Sequence, residues 1–372
     1  MKQKLNPKII PITNYFLILL IVGFVYGCSK SDEDNDEIFV PTLYMHGMAQ
    51  TEGNGVISFG GINYNKMDNI TYRYNSEINE WKTLSISTKP HSRAQFGMSY
   101  SGNSIIVLFG GWYNDDAYNY QNGYVLYNDT WEFDISTETW EEIIIDSGQV
   151  PGKRRWTAMA YAGNSKTVLF GGDKYYTSSG SDINTVLAND TWIYDATSNQ
   201  WEQVISGQFE EWPSVRAYHV MAHAGENKVL LYGGTYWETE NPFNYSDTWE
   251  FNVETKKWSK IEFGGEFPSG RNLAAMAYAG DNVIVLFGGN LNANNNDGFT
   301  NETWEYNALN KTWTKINVNG ALPPSTIHHG IAYGGNSKIY LHGGVGTAST
   351  GSIWEYNKNT KLWKELLRQT GM

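Results

Sequence analysis

The sequence predicts an all-β fold made of six copies of one unit, and three observations carry this prediction. A Gly-Gly pair closes a short apolar run six times, at intervals of 50 to 62 residues. Each pair is followed by two large aromatic residues, and these are always nine positions apart. A period near 50 with short strands and paired glycines is typical of β-propeller blades, so we expect four antiparallel strands in each of six blades.

The repeated positions are easily located in the chain. The Gly-Gly pairs begin at Gly60, Gly110, Gly171, Gly233, Gly288 and Gly343. The aromatic pairs are Tyr72 and Trp81, Trp131 and Trp140, Trp192 and Trp201, Trp249 and Trp258, Trp304 and Trp313, and Trp354 and Trp363. Because large rings fill the wedge between packed sheets, we expect all of them in the core.

The composition agrees with a single repeat domain. The 372 residues include 15 Trp, 25 Tyr and 38 Gly, which suits many short strands joined by tight turns and no long helix. Because repeats stack into one body, the length of the chain reflects the number of blades and not the number of domains. We therefore expect one propeller over residues 42–372.

Residues 1–27 resemble a signal peptide. Lys2, Lys4 and Lys8 precede a mostly apolar stretch, Ile9 to Tyr26, which ends at Gly27-Cys28. The sequence Val25-Tyr26-Gly27-Cys28 resembles the bacterial lipobox, and Cys28 is the only cysteine of the chain. We therefore expect lipidation at Cys28, which would anchor the chain in a membrane.

Residues 28–41 are polar and acidic and are expected to form a tether. They resemble the export signal of surface lipoproteins of the Bacteroidetes, with a solvated spacer as the alternative. The formal net charge is −12, and loss of three leader lysines would make it −15. Phosphate backbones would repel so acidic a body, so nucleic acid is excluded as an expected partner.

The elements within a blade can be predicted in order. In the fourth unit the four strand-like runs are 216–223, 229–234, 247–252 and 258–263. Gly-Asn and Gly-Asp pairs such as Gly102-Asn103 separate the first two runs and supply the positive φ that tight hairpins need. Short polar turns separate the last two runs, which predicts a four-stranded meander.

These motifs together resemble the kelch repeat. Its features here are Arg-x-x-His at the start of the first strand (Arg216 to His219), the Gly-Gly pair, and Asn-Asp-Thr-Trp with a second Trp nine residues on. The resemblance implies a six-bladed kelch β-propeller like the central domain of galactose oxidase, with the Arg-x-x-His strands innermost. How the ring closes is left open: residues 38–40 could add a strand to the last blade, or packing alone could hold it.

Comparing the blades with one another separates structure from function. Arginine recurs 17 residues before the Gly-Gly pair in four blades, at Arg93, Arg154, Arg216 and Arg271, with Leu43 and Thr326 in the other two. Glu132, Glu250, Glu305 and Glu355 recur on the third strand. The structural interpretation is Arg-Glu or Arg-carbonyl pairing, and the functional one is a ring of guanidinium groups that binds an anion. His46, His219 and His329 share one position and are expected in the core.

Long connections are expected on one face, where the second strand leads to the third and the fourth leads to the next blade. Exposed rings there would suit a carbohydrate or a protein partner, or would pack within their own loops. The candidate binding residues in these loops are Trp112, Tyr113, Arg155, Trp156, Tyr175, Trp212, Tyr236 and Trp237. Asp115-Asp116 and the Asn-rich run near Asp297 leave a calcium site open, although neither has regular ligand spacing.

The function expected from the sequence is a binding module. No catalytic motif is apparent, and the copper site of galactose oxidase is excluded because the propeller has no cysteine. The alternative is a sugar-acid mutarotase, implied by a distant resemblance to the kelch N-acetylneuraminate mutarotase and by the four arginines. We expect a monomer without cofactor or metal that binds a glycan or an envelope protein and is anchored in a bacterial cell envelope, at the outer membrane.

Overall fold

The fold is described by a computed structural model. It describes residues 39–115, 124–146, 148–176, 184–207, 210–238, 240–295, 297–347 and 351–369, all within one compact unit, Ile38–Met372. Residues 1–27, Cys28 and most of the expected tether lie outside the described residues. No helix within the described ranges is long and apolar enough to cross a bilayer.

The described chain consists of strands joined by turns and loops. In chain order they are β1 (Gly47–Gln50), β2 (Gly55–Phe59), β3 (Ile62–Asn63), β4 (Lys66–Met67), β5 (Thr71–Asn75), β6 (Glu80–Leu84), β7 (Gly97–Gly102), β8 (Ile105–Phe109), β9 (Trp112–Tyr113), β10 (Val125–Leu126), β11 (Thr130–Asp134), β12 (Thr139–Ile143), β13 (Arg154–Arg155), β14 (Ala158–Gly163), β15 (Lys166–Tyr176), β16 (Asn184–Asp195) and β17 (Gln200–Val204). The second half contains β18 (Val220–His223), β19 (Lys228–Tyr232), β20 (Thr235–Tyr236), β21 (Phe243–Asn244), β22 (Thr248–Asn252), β23 (Lys257–Ile261), β24 (Ala275–Tyr278), β25 (Val283–Phe287), β26 (Thr303–Asn307), β27 (Thr312–Ile316), β28 (Thr326–Ile327), β29 (Gly330–Tyr333), β30 (Lys338–His342), β31 (Val345–Gly346), β32 (Ser352–Asn357) and β33 (Leu362–Arg368).

Six antiparallel meanders form the blades, which confirms the predicted fold class. From blade 1 to blade 6 the strand orders are β1-β2-β5-β6, β7-β8-β11-β12, β14-β15-β16-β17, β18-β19-β22-β23, β24-β25-β26-β27 and β29-β30-β32-β33. The six innermost strands contact one another in cyclic order, and the last, β29, returns to β1. Short hairpins such as β9/β10 and β20/β21 extend the loops that follow the Gly-Gly pairs.

The paired glycines connect neighbouring blades. Both members have positive φ in every blade, and the second donates its N–H to a carbonyl of the next blade. These bonds run from Gly61 to Arg93 (2.9 Å), Gly111 to Arg154 (2.9 Å), Gly172 to Arg216 (3.0 Å), Gly234 to Arg271 (2.9 Å), Gly289 to Thr326 (3.1 Å) and Gly344 to Leu43 (2.8 Å). A Cβ on the first glycine would lie 2.1–3.0 Å from that carbonyl oxygen, so no side chain fits.

The spaced aromatic residues are all buried, as predicted. In five junctions the indole Nε1 of the fourth-strand Trp donates to a threonine hydroxyl on the third strand of the preceding blade. The pairs are Trp140–Thr71, Trp201–Thr130, Trp258–Thr191, Trp313–Thr248 and Trp363–Thr303, at 2.9–3.1 Å. Each of these indole rings therefore stabilises its junction by a hydrogen bond as well as by the apolar surface that it buries.

Within the described residues, which begin at residue 39, the ring closes without a fifth strand, by packing and by bonds between blades 6 and 1. Val40 packs in one cluster with Ile353 and Leu367. The Nε2 atom of His342 lies 2.7 Å from the Pro41 carbonyl oxygen, consistent with a hydrogen bond donated by the ring. The open question of closure is thus settled in favour of side-chain packing supported by hydrogen bonds.

Candidate functional site at the channel mouth

The four repeated arginines are buried and bonded within their own blades. Arg216 is representative: its Nε donates to the Ser214 carbonyl (3.0 Å), and Nη1 donates to the Gly233 carbonyl (3.0 Å). Nη1 and Nη2 also donate to the two carboxylate oxygens of Asp247 at 2.6 and 2.8 Å. Arg93, Arg154 and Arg271 make the corresponding contacts with Asp129, Asp190 and Glu302.

The arginines therefore follow the structural interpretation, pairing with carboxylates and carbonyl groups, but the carboxylate partners differ from those expected. The carbonyl pairing is confirmed, but the carboxylate partners lie two residues before the third-strand Trp rather than one residue after it. Burial acts to raise the pKa of Asp247, yet the bonds from Arg216 and Trp249 hold it below its usual range. The guanidinium groups, 0–1% exposed, are thus committed to cross-linking strands instead of facing an anionic ligand in the channel.

A ring of six side chains lies at the mouth of the channel, each two residues after the repeated arginine position. Its members, called here the mouth ring, are Met45, Gln95, Trp156, Tyr218, Leu273 and His328. All six have φ between 56° and 58°, the left-handed conformation that bulky residues rarely adopt. The backbone is identical in every blade, whereas no two of the side chains are the same.

Backbone bonds fix the mouth ring. Five of its N–H groups donate to the carbonyl of the equivalent residue in the preceding blade, at 2.9–3.4 Å. One of these bonds, Met45 N to His328 O (2.9 Å), crosses the junction between blades 6 and 1. Because the repeated turn is required to link the blades, the cost of positive φ belongs to the fold, and the side chains are free to differ.

The mouth ring surrounds a cavity of ≈ 170 Å³, and none of the described residues that line it is Asp, Glu, Lys or Arg. The residues beneath the ring are His46, Phe96, Thr157, His219, Ala274 and His329. Burial, followed by the neighbouring His329, lowers the pKa of His328 to about 3, so this imidazole is neutral near pH 7. The cavity is therefore suited to an uncharged group.

Three predicted candidates meet at one side of the mouth, together with one residue that was not predicted. The ring of Trp156 lies 4.5 Å from Tyr218 and 5.5 Å from Trp237, between centroids. The Arg155 guanidinium carbon lies 3.8 Å from the Trp156 ring centre, and Arg155 Nε donates to Asp173 (3.2 Å). We call Arg155, Trp156, Tyr218 and Trp237 the aromatic cluster.

The other loop candidates pack within the loops. Trp112, expected as an exposed ring, is completely buried beside Ile62, Ala94 and Leu126, and Tyr175 packs against the same cluster. Tyr113 packs on His91 (4.6 Å between ring centroids), and Tyr236 packs on Phe243 (5.8 Å). The Trp212 Nε1 donates to the Asn189 carbonyl (2.6 Å). Here the interpretation that loops bury their own rings applies.

The histidines of the innermost strands lie between blades. His219 and His329 pack edge-on against Phe170 and Phe287 of the preceding blade, and His46 packs against His342. Burial and then the neighbouring histidines lower the pKa of His46. Within the described ranges no group of three His, Cys, Asp or Glu side chains could hold a metal ion.

The Asn-rich loop of blade 5 folds on itself. The buried Asn290 amide donates to the carbonyls of Asn292 and Asn295, both at 2.8 Å, and its oxygen accepts from two backbone N–H groups. These contacts use the oxygens that a calcium ion would need. Asp116, the other calcium candidate, lies outside the described residues.

Sequence reasoning did not identify five of the mouth-ring residues, namely Met45, Gln95, Tyr218, Leu273 and His328. The signal was present in the Arg-x-x-His pattern: the position directly before the repeated histidine differs in every blade. Comparison between blades could have found it, because a position that varies among copies is free to serve a ligand.

Comparison with known proteins gives matches over almost the whole described chain. A family model described as KLHDC2/KLHL20/DRC7 Kelch-repeats domain matches residues 35–234 and 208–371. The chain is 26% identical over 327 residues to Adagio-like protein 3 of Oryza sativa subsp. japonica, covering 83% of this chain and 47% of that protein. It is 23% identical over 280 residues to Kelch domain-containing protein 10 of Homo sapiens (74% and 57%). It is also 25% identical over 247 residues to N-(sulfonatooxy)prop-2-enimidothioate sulfolyase of Thlaspi arvense (63% and 65%).

These matches confirm the kelch resemblance and correct the expected localisation. The chain spans about half the length of the first two relatives named, 47% and 57%. The expected bacterial cell-envelope localisation is wrong, because the relatives that the chain matches are kelch-domain proteins of plants and mammals.

Proposed function

Because this chain belongs to the kelch-repeat family, we propose that it binds a partner protein through its long-loop face, centred on the mouth ring. The kelch propeller is a general protein-interaction module. The observation that carries the choice of this site is the mouth ring itself: one backbone conformation in six blades with six different side chains. Variation on a fixed scaffold is how a repeat protein distinguishes partners.

Exposed apolar groups at the loop tips support a protein as the ligand. Tyr64, Val125, Phe243 and Leu291 lie in the loops that follow the Gly-Gly pairs of blades 1, 2, 4 and 5, and each is 41–61% exposed. Aromatic and aliphatic side chains around a recessed centre are typical of the anchors of protein interfaces.

The ring faces that a sugar would stack on are covered. Arg155 lies against Trp156, and Tyr218 and Trp237 contact the same indole at 4.5 and 5.5 Å. The expected sugar-stacking residue Trp112 is buried. This geometry favours a protein over a carbohydrate, and the four bonded arginines favour binding over sugar-acid chemistry.

Photocrosslinking tests the proposal. The photoreactive residue p-benzoylphenylalanine replaces Phe243 on the long-loop face or, as the matched control, Leu309 on a turn of the opposite face. We expect discrete protein adducts from position 243 alone in extracts of the source organism. Excess wild-type chain should compete for them, and the Tyr218→Ala chain should not.

Three outcomes would contradict the proposal. Equal adducts from position 309 would move the interface to another face. Effective competition by Tyr218→Ala would remove the mouth ring from the interface. Specific retention on a glycan array without protein adducts would replace the partner protein by a carbohydrate.

A further inference from the structure

The charges of the long-loop face are distributed unevenly around the mouth. The connecting segments 205–215, 233–247, 262–270, 288–302 and 317–325 contain no Lys or Arg, whereas the earlier loops of this face contain Lys66, Lys89, Lys153 and Lys174. The cations next to those five segments are Lys257, Lys260 and Lys315 of the outer strands, which pair with Glu210, Glu262 and Glu302. The same five segments contain Glu210, Glu211, Glu238, Glu240, Asp247, Glu262, Glu266, Asp297 and Glu302. One half of the rim is therefore strongly acidic.

Most of these carboxylates are available to a partner. Asp247 and Glu302 are bonded to buried arginines, and Glu210 and Glu262 pair with lysines. The remainder, called here the acidic rim, are Glu211, Glu238, Glu240, Glu266 and Asp297, all exposed and in no ion pair within the described chain. Their combined potential attracts cations toward the mouth.

The acidic rim adjoins the mouth cavity. Glu238 directly follows Trp237, whose ring lies 5.5 Å from that of Tyr218 in the mouth ring. Its Oε1 accepts the Leu187 N–H (2.8 Å), which fixes the side chain beside the aromatic cluster. Within a few residues the surface changes from carboxylates to an uncharged cavity lined by Met45, Leu273 and aromatic rings.

We propose that the partner presents a lysine- or arginine-rich segment that places one uncharged apolar side chain in the mouth cavity and its cations against the acidic rim. This inference rests on the proposed function and specifies the chemistry of the partner. The cavity excludes charge because desolvation would be uncompensated there, while the rim supplies long-range attraction that the cavity lacks. Apolar contact holds the segment, and charge selects it.

The test uses a labelled peptide with both ends blocked, acetyl-Lys-Arg-Gly-Leu-Gly-Arg-Lys-amide, so that no chain terminus contributes. Fluorescence anisotropy with the full chain should give saturable binding with a dissociation constant below about 1 mM at ~50 mM NaCl. At ~300 mM NaCl the dissociation constant should be about tenfold higher. Replacing Leu by Asp, or the four cations by Glu, should abolish binding. Glu238→Gln/Glu240→Gln and Leu273→Ala should each weaken it severalfold.

Glu142→Gln is the matched control, since Glu142 is exposed on the outer strand β12 of blade 2. Equal binding of the acidic peptide, indifference to the central Leu, or no saturable binding would overturn the inference. Crosslinking from position 243 is independent of the peptide, so adducts without peptide binding would leave the proposed function standing and remove only this partner chemistry.

Discussion

Two positions on the same stretch of chain behave in opposite ways. The repeated arginine is buried, makes the same bonds in four blades, and has a carboxylate partner in each. Two residues later the mouth ring keeps one backbone conformation but changes its side chain in every blade. A side chain that is repeated among the blades therefore stabilises the propeller, whereas a position whose side chain varies among them can serve recognition.

The two blades without arginine extend this comparison. Blade 1 has Leu43 with Ile70 at the carboxylate position, and blade 6 has Thr326 with Ser352. In blade 6 the Trp354 Nε1 donates to the Ser352 hydroxyl (3.0 Å), just as Trp249 donates to Asp247 in blade 4. Cation and anion are therefore lost together, as expected if neither is tolerated alone in a buried site.

Breaking one arginine pair should have the largest effect. Arg216→Thr removes four hydrogen bonds and leaves Asp247 without its cation, which should destabilise the fold by about 3–5 kcal/mol in urea unfolding. Arg216→Thr/Asp247→Ser copies blade 6 and should recover at least ~1 kcal/mol of that loss. A double variant no more stable than the single one would show that the charge pair is not the structural unit.

Lowering the pH should have the next largest effect, because buried histidines lie at several junctions, and the junction between blades 6 and 1 contains two that face each other, His46 and His342. Burial lowers the pKa of His342 to about 4, and burial, then His342 and His329, lowers that of His46. The unfolded chain, with histidine pKa near 6.5, thus binds more protons in this range, so stability is lost as the pH falls from about 6.5 to about 4. Trp81 and the Pro41 carbonyl also contact His342, and none of the described carboxylates offsets the added charge.

Hydrogen exchange at pH 7 and pH 4.5 would locate this effect. Protection in β1 and β30 should fall first, and His46→Phe/His342→Phe, which copies Phe96 and Phe59 of the blade 1–2 junction, should restore it. Uniform loss of protection in all blades, unchanged in the double variant, would contradict the assignment to this junction.

A smaller change in the free energy of unfolding is expected from the indole hydrogen bonds between blades. Five junctions have a threonine acceptor, whereas blade 6 has Ile353 at that position, and the Trp81 Nε1 has no partner within the described residues. Thr191→Val should cost about 1–3 kcal/mol, because it leaves the Trp258 N–H buried and unbonded. Ile353→Thr should instead be neutral or stabilising by about 1 kcal/mol in urea unfolding. A loss as large as that of Thr191→Val would refute this explanation.

The six-bladed fold could be predicted because the paired glycines and the spaced aromatic residues are local sequence signals. Each recurs in six units, which chance does not explain. The partner of each arginine could not be predicted, since Asp247 and Glu250 lie three residues apart and only the strand register brings the former to Arg216. Burial of Trp112 depends on residues of blade 1, which sequence spacing does not reveal. The mouth ring escaped because a left-handed residue at the start of a strand has no composition signal when glycine is absent.

The central claim is tested most directly by two measurements on each of two variants. The first is the affinity for the partner that crosslinks at position 243, and the second is the urea concentration at the midpoint of unfolding. Tyr218→Ala should lose at least tenfold in affinity while its stability changes by about 1 kcal/mol. Arg216→Thr/Asp247→Ser should lower the midpoint and retain wild-type affinity wherever it is folded. Affinity lost only in the arginine variant, or lost equally in both, would contradict the division between repeated structure and varied recognition.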